Sequence, residues 1–261
     1  MIRVSSLVVT FGRGTPLEKT ALAGIDLAVA AGEFVSIIGS GKSTLLSALA
    51  GDFPPTSGRI EIDGVDVTRQ STARRSARVA RVFQDPLAGS CGTLTIDENL
   101  ALAAARGRPR GFGKALSSSR RAMFVERLAA LGLGLEKRLG DRMGLLSGGQ
   151  RQAIALVMAT LAPSGVLLLD EHTAALDPGM AEFVADLTQR VVAEHRLTTL
   201  MVTHSMRQAL DLGTRTVMLH EGRIILDVGG EERKSLGVED LVDMFRRTRG
   251  QALDDDELLI G

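Results

Sequence analysis

Hydrophobic residues in the first third of the chain alternate with polar ones or form short apolar runs. Both patterns predict β-strands, the first half-buried and the second fully buried. The strands we predict are Ile2–Phe11, Leu22–Val29, Phe34–Ile38, Arg59–Ile62 and Ala80–Phe83. Helical spacing occurs once among them, over Thr44–Ala50, directly after the third strand.

The pattern changes to helical spacing in the middle of the chain. Thr95-Ile96-Asp97-Glu98 is a capping box, in which Thr95 and Glu98 satisfy each other's backbone amides at the start of a helix. An Ala/Leu-rich helix follows it, and Ser119–Leu133 is amphipathic. We therefore predict a helical insert that runs to about Leu146.

Strands and helices alternate in the second half of the chain, after a helix over Gln152–Leu161. Such alternation predicts a parallel sheet covered by helices. The predicted elements are Val166–Leu169, Ala181–Glu194, Thr198–Val202, Met206–Leu212 and Thr216–Leu219.

Composition limits the possible functions only slightly. A chain of 261 residues has room for one domain, or for one domain with a subdomain. The charge is balanced, with 31 basic and 31 acidic residues, so nothing global indicates binding to nucleic acid. The one cysteine, Cys91, fits a reducing compartment, and we expect its small side chain to be buried.

No apolar run approaches the roughly 18–20 residues that span a bilayer, and the first residues lack a signal-peptide pattern. A membrane function would therefore require a partner that spans the membrane.

Two motifs in the second half of the chain indicate a phosphate site. Leu146-Ser147-Gly148-Gly149-Gln150 stands at a predicted helix start, where unpaired amides and the helix dipole attract phosphate. Leu167-Leu168-Leu169 is followed by Asp170 and Glu171, so a buried strand delivers two carboxylates to its C-terminal edge. Ligands of open α/β sheets bind at that edge.

A third motif, Gly41-Lys42-Ser43-Thr44, follows an apolar strand and opens a helix. This is the context of a phosphate-binding loop, in which the lysine neutralises phosphate charge and the next hydroxyl binds Mg²⁺. The full motif has a glycine at the position of Ser36, which lies inside the strand here.

Together and in this order, the three motifs resemble the nucleotide-binding subunit of an ATP-binding-cassette (ABC) transporter. The resemblance extends from Met1 to about Phe245. The sequences of residues 168–178 and 218–227 are similar to those of a bacterial importer branch. This branch includes tryptophan/tyrosine-type and unassigned amino-acid uptake systems.

The resemblance implies an α/β fold of the P-loop NTPase class. Its core has a parallel sheet, with an N-terminal antiparallel β subdomain and an inserted α-helical subdomain. The implied boundaries place the core with the β subdomain at 1–84 and 147–230, and the helical subdomain at 85–146. Residues 231–261 are expected to form a C-terminal helix and an acidic tail.

The resemblance also assigns roles in ATP hydrolysis. Asp170 corresponds to the Mg²⁺-holding carboxylate, and Glu171 to the general base that activates water. His204 corresponds to a histidine that contacts the γ-phosphate, and Gln84 to a glutamine that touches Mg²⁺ or water. Phe11 stands where the family stacks an aromatic ring on adenine.

The implied cofactors are ATP and Mg²⁺. Ser43 joins Asp170 and Gln84 as a metal-binding residue. Besides Phe11, the residues implied to bind nucleotide are Gly39, Ser40, Gly41, Lys42, Ser43, Thr44, Ser147, Gly148, Gly149 and Gln150.

The implied partners are a second copy of the chain, integral-membrane permease subunits and, indirectly, an extracytoplasmic substrate-binding protein, with no nucleic acid. Two copies pair head to tail, and each ATP lies between Lys42 of one copy and Ser147–Gln150 of the other. The implied location is the cytoplasmic face of the membrane, reached through the permease.

The phosphate-binding loop departs from the family pattern, because three residues are missing between Ser40 and Gly41. At roughly 3.3–3.6 Å per extended residue, the loop loses up to about 10 Å and three N–H donors. Two interpretations follow: an ATP-hydrolysing importer subunit, or an ABC-fold binding or regulatory module that cannot hydrolyse ATP.

Other classes of P-loop protein fit less well. A soluble ABC protein of DNA repair or translation is disfavoured, because the chain has no coiled-coil insertion, zinc site or second cassette. The motif Leu146–Gln150 excludes a P-loop kinase, which does not need it.

Between Glu98 and Glu126 the sequence has six basic residues and no acidic one. They form either a solvated face or a contact with a permease loop or lipid headgroups. These residues are Arg106, Arg108, Arg110, Lys114, Arg120 and Arg121. We expect the remaining histidines, His172, His195 and His220, to be structural or exposed.

Overall fold

The computed structural model of the protein describes residues 1–108 and 115–249. The chain divides into two compact units. The first comprises Met1–Arg75 and the described residues from Leu197 onward, and the second comprises Ser76–Arg196. The subdomain boundaries predicted at 84/85 and 146/147 were placed by sequence motifs, whereas these units are defined by compactness. The predicted boundaries therefore stay a prediction.

The described residues form strands and helices in a mixed order along the chain. The strands are β1 (Ile2–Phe11), β2 (Lys19–Val29), β3 (Phe34–Gly39), β4 (Ser57–Ile62), β5 (Val65–Asp66), β6 (Val79–Val82), β7 (Val166–Asp170), β8 (Thr198–Val202), β9 (Arg215–His220) and β10 (Arg223–Gly229). The helices are α1 (Lys42–Ala50), α2 (Thr72–Arg75), α3 (Ile96–Ala104), α4 (Ser118–Ala129), α5 (Gly148–Leu161), α6 (Pro178–His195), α7 (Met206–Asp211), α8 (Gly230–Lys234) and α9 (Val238–Arg249).

The first unit contains an antiparallel sheet with the order β2-β1-β4-β5. Alternating apolar residues of β1 and β2, among them Val4 and Leu27, turn one face of this sheet to the interior. The sheet confirms the predicted N-terminal antiparallel β subdomain.

The first unit also contains the strands that lead to the phosphate-loop motif. β3 pairs in parallel with β8 on one side and with β9 on the other, and β10 is antiparallel to β9. Phe34–Ile38 and all of β8 are buried, as expected for strands covered on both faces. Helix α9 packs there through Leu241 and Phe245.

In the second unit, β6 and β7 pair in parallel, and the register sets Arg81 opposite Leu168. Helices α3, α4 and α6 contact α5. Buried Leu100, Phe124 and Ile154 contribute to the core of this unit. The α/β class predicted from the sequence is confirmed.

Two kinds of element differ from the sequence prediction. Helix α4 ends at Ala129, not at Leu133, because Gly132 and Gly134 both adopt positive φ, at 70° and 71°. That conformation ends a helix and favours glycine. The short elements β5, α2 and α8, and the strand β10, were not predicted.

Within residues 1–108 and 115–249, no helix combines the length and the apolar character needed to cross a bilayer.

His172 lies in the interior of the second unit, only 2% exposed. The Thr188 hydroxyl donates to the Val184 carbonyl at 2.7 Å, so its oxygen accepts from His172 Nε2 at 2.9 Å. His172 Nδ1 is buried and has no partner among the described residues. Burial disfavours the charged ring and lowers the pKa of His172 to about 4 from 6.5.

This depressed pKa predicts a loss of stability in mild acid. The unfolded chain takes up a proton near pH 6.5 and the folded chain only near pH 4, so the stabilisation is present above pH 6.5 and is lost as pH falls toward 4. Between about pH 7 and about pH 5 we expect the free energy of unfolding to fall by about 2 kcal/mol through this residue.

Urea unfolding of the wild type and of His172→Gln, which keeps an amide donor for Thr188, isolates this contribution. The wild type should lose about 2 kcal/mol more than the variant over that pH range. Parallel losses in the two proteins would show that His172 is not buried in its neutral form.

Candidate functional site

The turn between β3 and α1 consists of Gly39, Ser40 and Gly41. Gly39 has φ +94° and Gly41 has φ +89°, conformations that L side chains rarely adopt. A Cβ atom on Gly39 would lie 1.9 Å from the Leu219 carbonyl oxygen. The turn is therefore tight against β9, and Gly39 cannot be replaced without moving backbone.

Polar groups of this turn are used within the protein. The Ser40 amide donates to the Leu219 carbonyl at 2.8 Å, and the Ser40 hydroxyl accepts from the Glu221 amide at 3.1 Å. Helix α1 starts at once, with the Leu45 amide donating to the Gly41 carbonyl at 3.1 Å. The donors that remain by helix geometry are the first-turn amides of α1.

Lys42 is buried, with 6% of the residue exposed. Its ammonium donates to the Gly39 carbonyl at 2.8 Å and lies 3.3 Å from Nδ1 of His204, which follows β8. Because β3 and β8 are parallel neighbours, their carboxyl ends share one edge of the sheet. The structure thus brings together two residues that were predicted from distant parts of the sequence.

His204 is oriented by its surroundings. An ammonium only donates hydrogen bonds, so Nδ1 of His204 accepts from Lys42 and the ring proton sits on Nε2. Ser205 follows and caps α7, its hydroxyl accepting from the Gln208 amide at 3.2 Å.

Phe11 ends β1 and is 44% exposed. Its ring meets the ring of Phe53 edge to face, with centroids 5.4 Å apart. Edge-to-face packing fixes the orientation of an aromatic ring. Adenine stacking on Phe11 stays a prediction, and Phe53 is a neighbour that the sequence did not reveal.

In the second unit, β7 ends at Asp170 and Glu171 follows directly. Glu171 is 8% exposed and adopts φ +45°, which is uncommon for a residue with a side chain. The Ala174 amide donates to the Glu171 carbonyl at 3.0 Å and closes a turn. Backbone strain of this kind is frequent at active sites.

Arg81 is a neighbour of Asp170 that sequence reasoning missed. Its Nη2 donates to Asp170 Oδ2 at 2.6 Å, and its guanidinium lies 4.6 Å from the centroid of the Phe83 ring. A basic residue inside an apolar strand was the available signal, but only the pairing of β6 with β7 identifies its partner.

Ser147 is the N-cap of α5, and its hydroxyl accepts from the Gln150 amide at 3.3 Å. Gln150 Oε1 accepts in turn from the Ser147 amide at 3.2 Å. This capping box uses two backbone N–H groups, so fewer unpaired N–H groups remain at this helix start than the sequence predicted. Gly148 and Gly149 supply the amides between them.

Gln84 is exposed and follows Phe83, just beyond β6. The Phe83 carbonyl accepts from Nε2 of Gln152 on α5 at 3.1 Å. The backbone that carries Gln84 is thus attached to the helix that begins with the Ser147–Gln150 motif.

In the first unit, the Lys42 ammonium, the Ser43 hydroxyl and the first-turn amides of α1 suit phosphate oxygens. In the second unit, the carboxylates of Asp170 and Glu171 are of the kind that binds Mg²⁺. Mg²⁺ prefers oxygen ligands, keeps several waters, and needs one or two carboxylates beside substrate phosphates. Among the described residues, no group of three or more His, Cys, Asp or Glu side chains is placed to hold a metal ion.

Two further expectations are changed by the structure. Cys91 is exposed rather than buried, because it lies in the loop before α3. Of the basic residues in the insert, Arg106 donates to the Ala159 carbonyl at 2.8 Å and Arg121 pairs with Asp97 at 3.0 Å.

Arg120 donates to the Ala115 carbonyl at 2.8 Å, and Arg108 is exposed. Arg110 and Lys114 lie outside the described residues. Arg106 turns inward, whereas Arg108, Arg120 and Arg121 remain exposed. A solvated face and a contact with a permease loop or lipid headgroups both stay predictions.

Comparison with known proteins agrees with this arrangement. The family model "ABC transporter" matches residues 22–174. The chain is 41% identical over 248 residues to the tyrosine transport ATP-binding protein of Clostridioides difficile (strain R20291), covering 94% of this chain and 98% of the relative. It is 36% identical over 204 residues to the thiamine import ATP-binding protein ThiQ of Escherichia coli O157:H7, covering 76% and 82%.

Among solved structures, the chain resembles the dimeric post-hydrolysis state of the ATP-binding cassette MJ0796 bound to ADP and Pi. The TM-score is 0.75 at 28% identity, over 88% of this chain and 98% of that one. Because the family model matches more than half of the chain, and the tyrosine transport relative is 41% identical over 94% of it, the chain belongs to the ABC transporter family as an ATP-binding domain.

Proposed function

We propose that this chain is the ATP-hydrolysing subunit of an ABC importer that drives amino-acid uptake through separate permease subunits. The observation that supports it most is the meeting of Lys42 and His204 at the carboxyl ends of β3 and β8. A cation and a neutral imidazole donor beside a helix start form a site for terminal phosphates. The relative named for tyrosine transport supports an amino acid as the solute.

Each predicted site residue has a role in this proposal. Lys42 and the first-turn amides of α1, up to Thr44, bind phosphate, and Nε2–H of His204 donates to a terminal phosphate oxygen. Ser43, Asp170 and Gln84 hold Mg²⁺, which neutralises phosphate charge when bound. Glu171 accepts the proton of the attacking water. The ring of Phe11 supports adenine.

The second nucleotide contact comes from another copy of the chain. Ser147, Gly148, Gly149 and Gln150 would bind the phosphates held by Lys42 of the partner copy, in an isologous head-to-tail dimer. The dimeric MJ0796 cassette supports this arrangement. In the importer, the dimer docks on the permease at the cytoplasmic face of the membrane and works with an extracytoplasmic substrate-binding protein.

A second candidate function follows from the short turn. Because Lys42 donates to Gly39 and Ser40 donates to Leu219 of β9, these two groups already have acceptors within the protein. The intact Leu45–Gly41 hydrogen bond shows that the first turn of α1 is wound and does not lengthen the loop. A module that binds ATP weakly and acts as a regulator would have this geometry.

Uptake measurements separate the substrate classes. Deleting the gene in the organism that carries it should abolish high-affinity uptake of labelled L-tyrosine and leave thiamine uptake intact, because a permease without its ATPase is not driven. The wild-type gene should restore uptake, whereas a gene with Lys42→Ala should not. Restoration by Lys42→Ala would favour the regulatory module, and loss of thiamine uptake would contradict the amino-acid assignment.

Lengthening the turn tests its effect on nucleotide affinity. Each charge-assisted hydrogen bond to phosphate is worth roughly 1.5–3 kcal/mol. Inserting Asn-Gly-Ala after Ser40 adds three N–H donors. Two bonds gained, together worth roughly 3 kcal/mol or more, should tighten Mg-ATP binding by at least about 10²-fold, since about 1.4 kcal/mol is a factor of ten. Isothermal titration of both chains measures the gain. Equal affinities would show that the missing residues do not limit binding.

The lengthened chain also allows a test of Glu171. In that background Glu171→Gln should lower ATP turnover by at least about 10²-fold, because the amide cannot take the proton from water. ATP binding should persist, and the dimer should be trapped on size-exclusion chromatography. Glu182→Gln, at a less buried position on α6, is the matched control. Unchanged turnover in Glu171→Gln would remove this residue from the mechanism.

A further inference from the structure

Arg81 and Asp170 form an ion pair in the second unit that is largely shielded from water. Arg81 Nη2 and Asp170 Oδ2 are 2.6 Å apart, and their side chains are 13% and 14% exposed. In strands, side chains alternate between faces, so Asp170 projects on the same face as Leu168, the residue opposite Arg81. The parallel pairing of β6 and β7 therefore directs the guanidinium at this carboxylate.

A charge pair in such surroundings is stronger than a pair on the surface. Water screens exposed charges heavily, whereas attraction and repulsion both grow as the effective dielectric falls. Asp170 is also followed directly by Glu171, which is 8% exposed. Two adjacent carboxylates with little access to water repel each other, and Arg81 supplies positive charge to Asp170.

Arg81 is also connected to α5. Its guanidinium lies over the ring of Phe83, two residues along the chain. The Phe83 carbonyl accepts from Gln152, a buried residue of α5. One short segment thus joins the Asp170 carboxylate to α5, and the next residue of that segment is Gln84.

We propose that Arg81 is a positioning residue, the internal counter-ion of Asp170, which gives way when Mg²⁺ binds with nucleotide. This inference rests on the proposed function, which assigns Asp170 to the metal. A guanidinium and a divalent cation at one shielded carboxylate repel each other, so Arg81 raises the metal concentration that the site requires. When Mg²⁺ replaces Arg81 at Asp170, the guanidinium is released beside Phe83. The position of the segment that carries Gln84 then changes.

The test uses the full chain without nucleotide, with Mn²⁺ as the probe and electron paramagnetic resonance as the measure of free metal. Arg81→Gln removes the charge and should bind Mn²⁺ at least about tenfold more tightly than the wild type. Arg81→Lys keeps the charge and should resemble the wild type. Arg138→Gln, which removes the Arg138–Asp141 pair elsewhere in the same unit, should leave Mn²⁺ binding unchanged.

Thermal unfolding gives an independent reading. Without metal, Arg81→Gln should melt below the wild type, because Asp170 loses its counter-charge. Mn²⁺ should raise the melting temperature of this variant more than that of the wild type. Arg81→Met, which keeps the length of the side chain over Phe83, repeats the test in a second variant. Adding Asp170→Asn to either variant should abolish the gain in Mn²⁺ affinity.

Equal Mn²⁺ binding by the wild type and by both charge-removing variants, including no binding by any of them, overturns the inference. A gain in affinity that survives Asp170→Asn overturns it as well, because the metal would then be held elsewhere. Failure of the proposed function has a different signature: no Mg-ATP binding by the chain with the lengthened turn, whatever residue stands at position 81.

Discussion

The short turn between β3 and α1 is the constraint on which the nucleotide site depends. Gly39 cannot accept a side chain because the Leu219 carbonyl is too close, and the Ser40 amide is bonded to that same carbonyl. The chain must therefore enter α1 at once, which places Lys42 beside Gly39 and His204. The geometry that brings the proposed phosphate-binding residues together also uses some of their hydrogen-bonding groups within the protein.

Buried arginines hold the far ends of the helices that begin at or beside the predicted site residues. Arg75 donates to the Leu49 carbonyl in the last turn of α1, and Arg106 donates to the Ala159 carbonyl near the end of α5. Arg233 donates to the Ala209 and Leu210 carbonyls near the end of α7, and to the Leu212 carbonyl just after this helix. Burial lowers the pKa of each of these arginines. Cations at helix C-termini are stabilising. Because a helix is rigid, these contacts at its far end also help to position the end that lies at or beside the predicted site.

The sequence was sufficient for the fold class, for most strands and for the family, because strand periodicity and short motifs are local signals. The capping box at Thr95 was also predicted, since two residues three positions apart, Thr95 and Glu98, determine it. What the sequence did not reveal depends on pairing between distant segments. The role of Arg81 is visible only when β6 pairs with β7, which brings Arg81 to Asp170. Cys91 is exposed because it lies in a loop, and hydrophobic periodicity does not predict the path of a loop. Gly132 and Gly134 ended α4 earlier than its apolar spacing indicated.

Amide hydrogen exchange at Ser40 and Leu45 tests most directly whether the short turn limits nucleotide binding. The turn could enclose the phosphates of ATP fully in either of two ways. Helix α1 could unwind at its start, which would break the Leu45–Gly41 hydrogen bond, or Ser40 could release its hydrogen bond to β9. We expect both amides to stay protected when Mg-ATP is added at a concentration that saturates the chain with the lengthened turn. Loss of protection at both positions, with ATP bound at that concentration, would contradict this, because the turn would then be able to reshape itself around the phosphates.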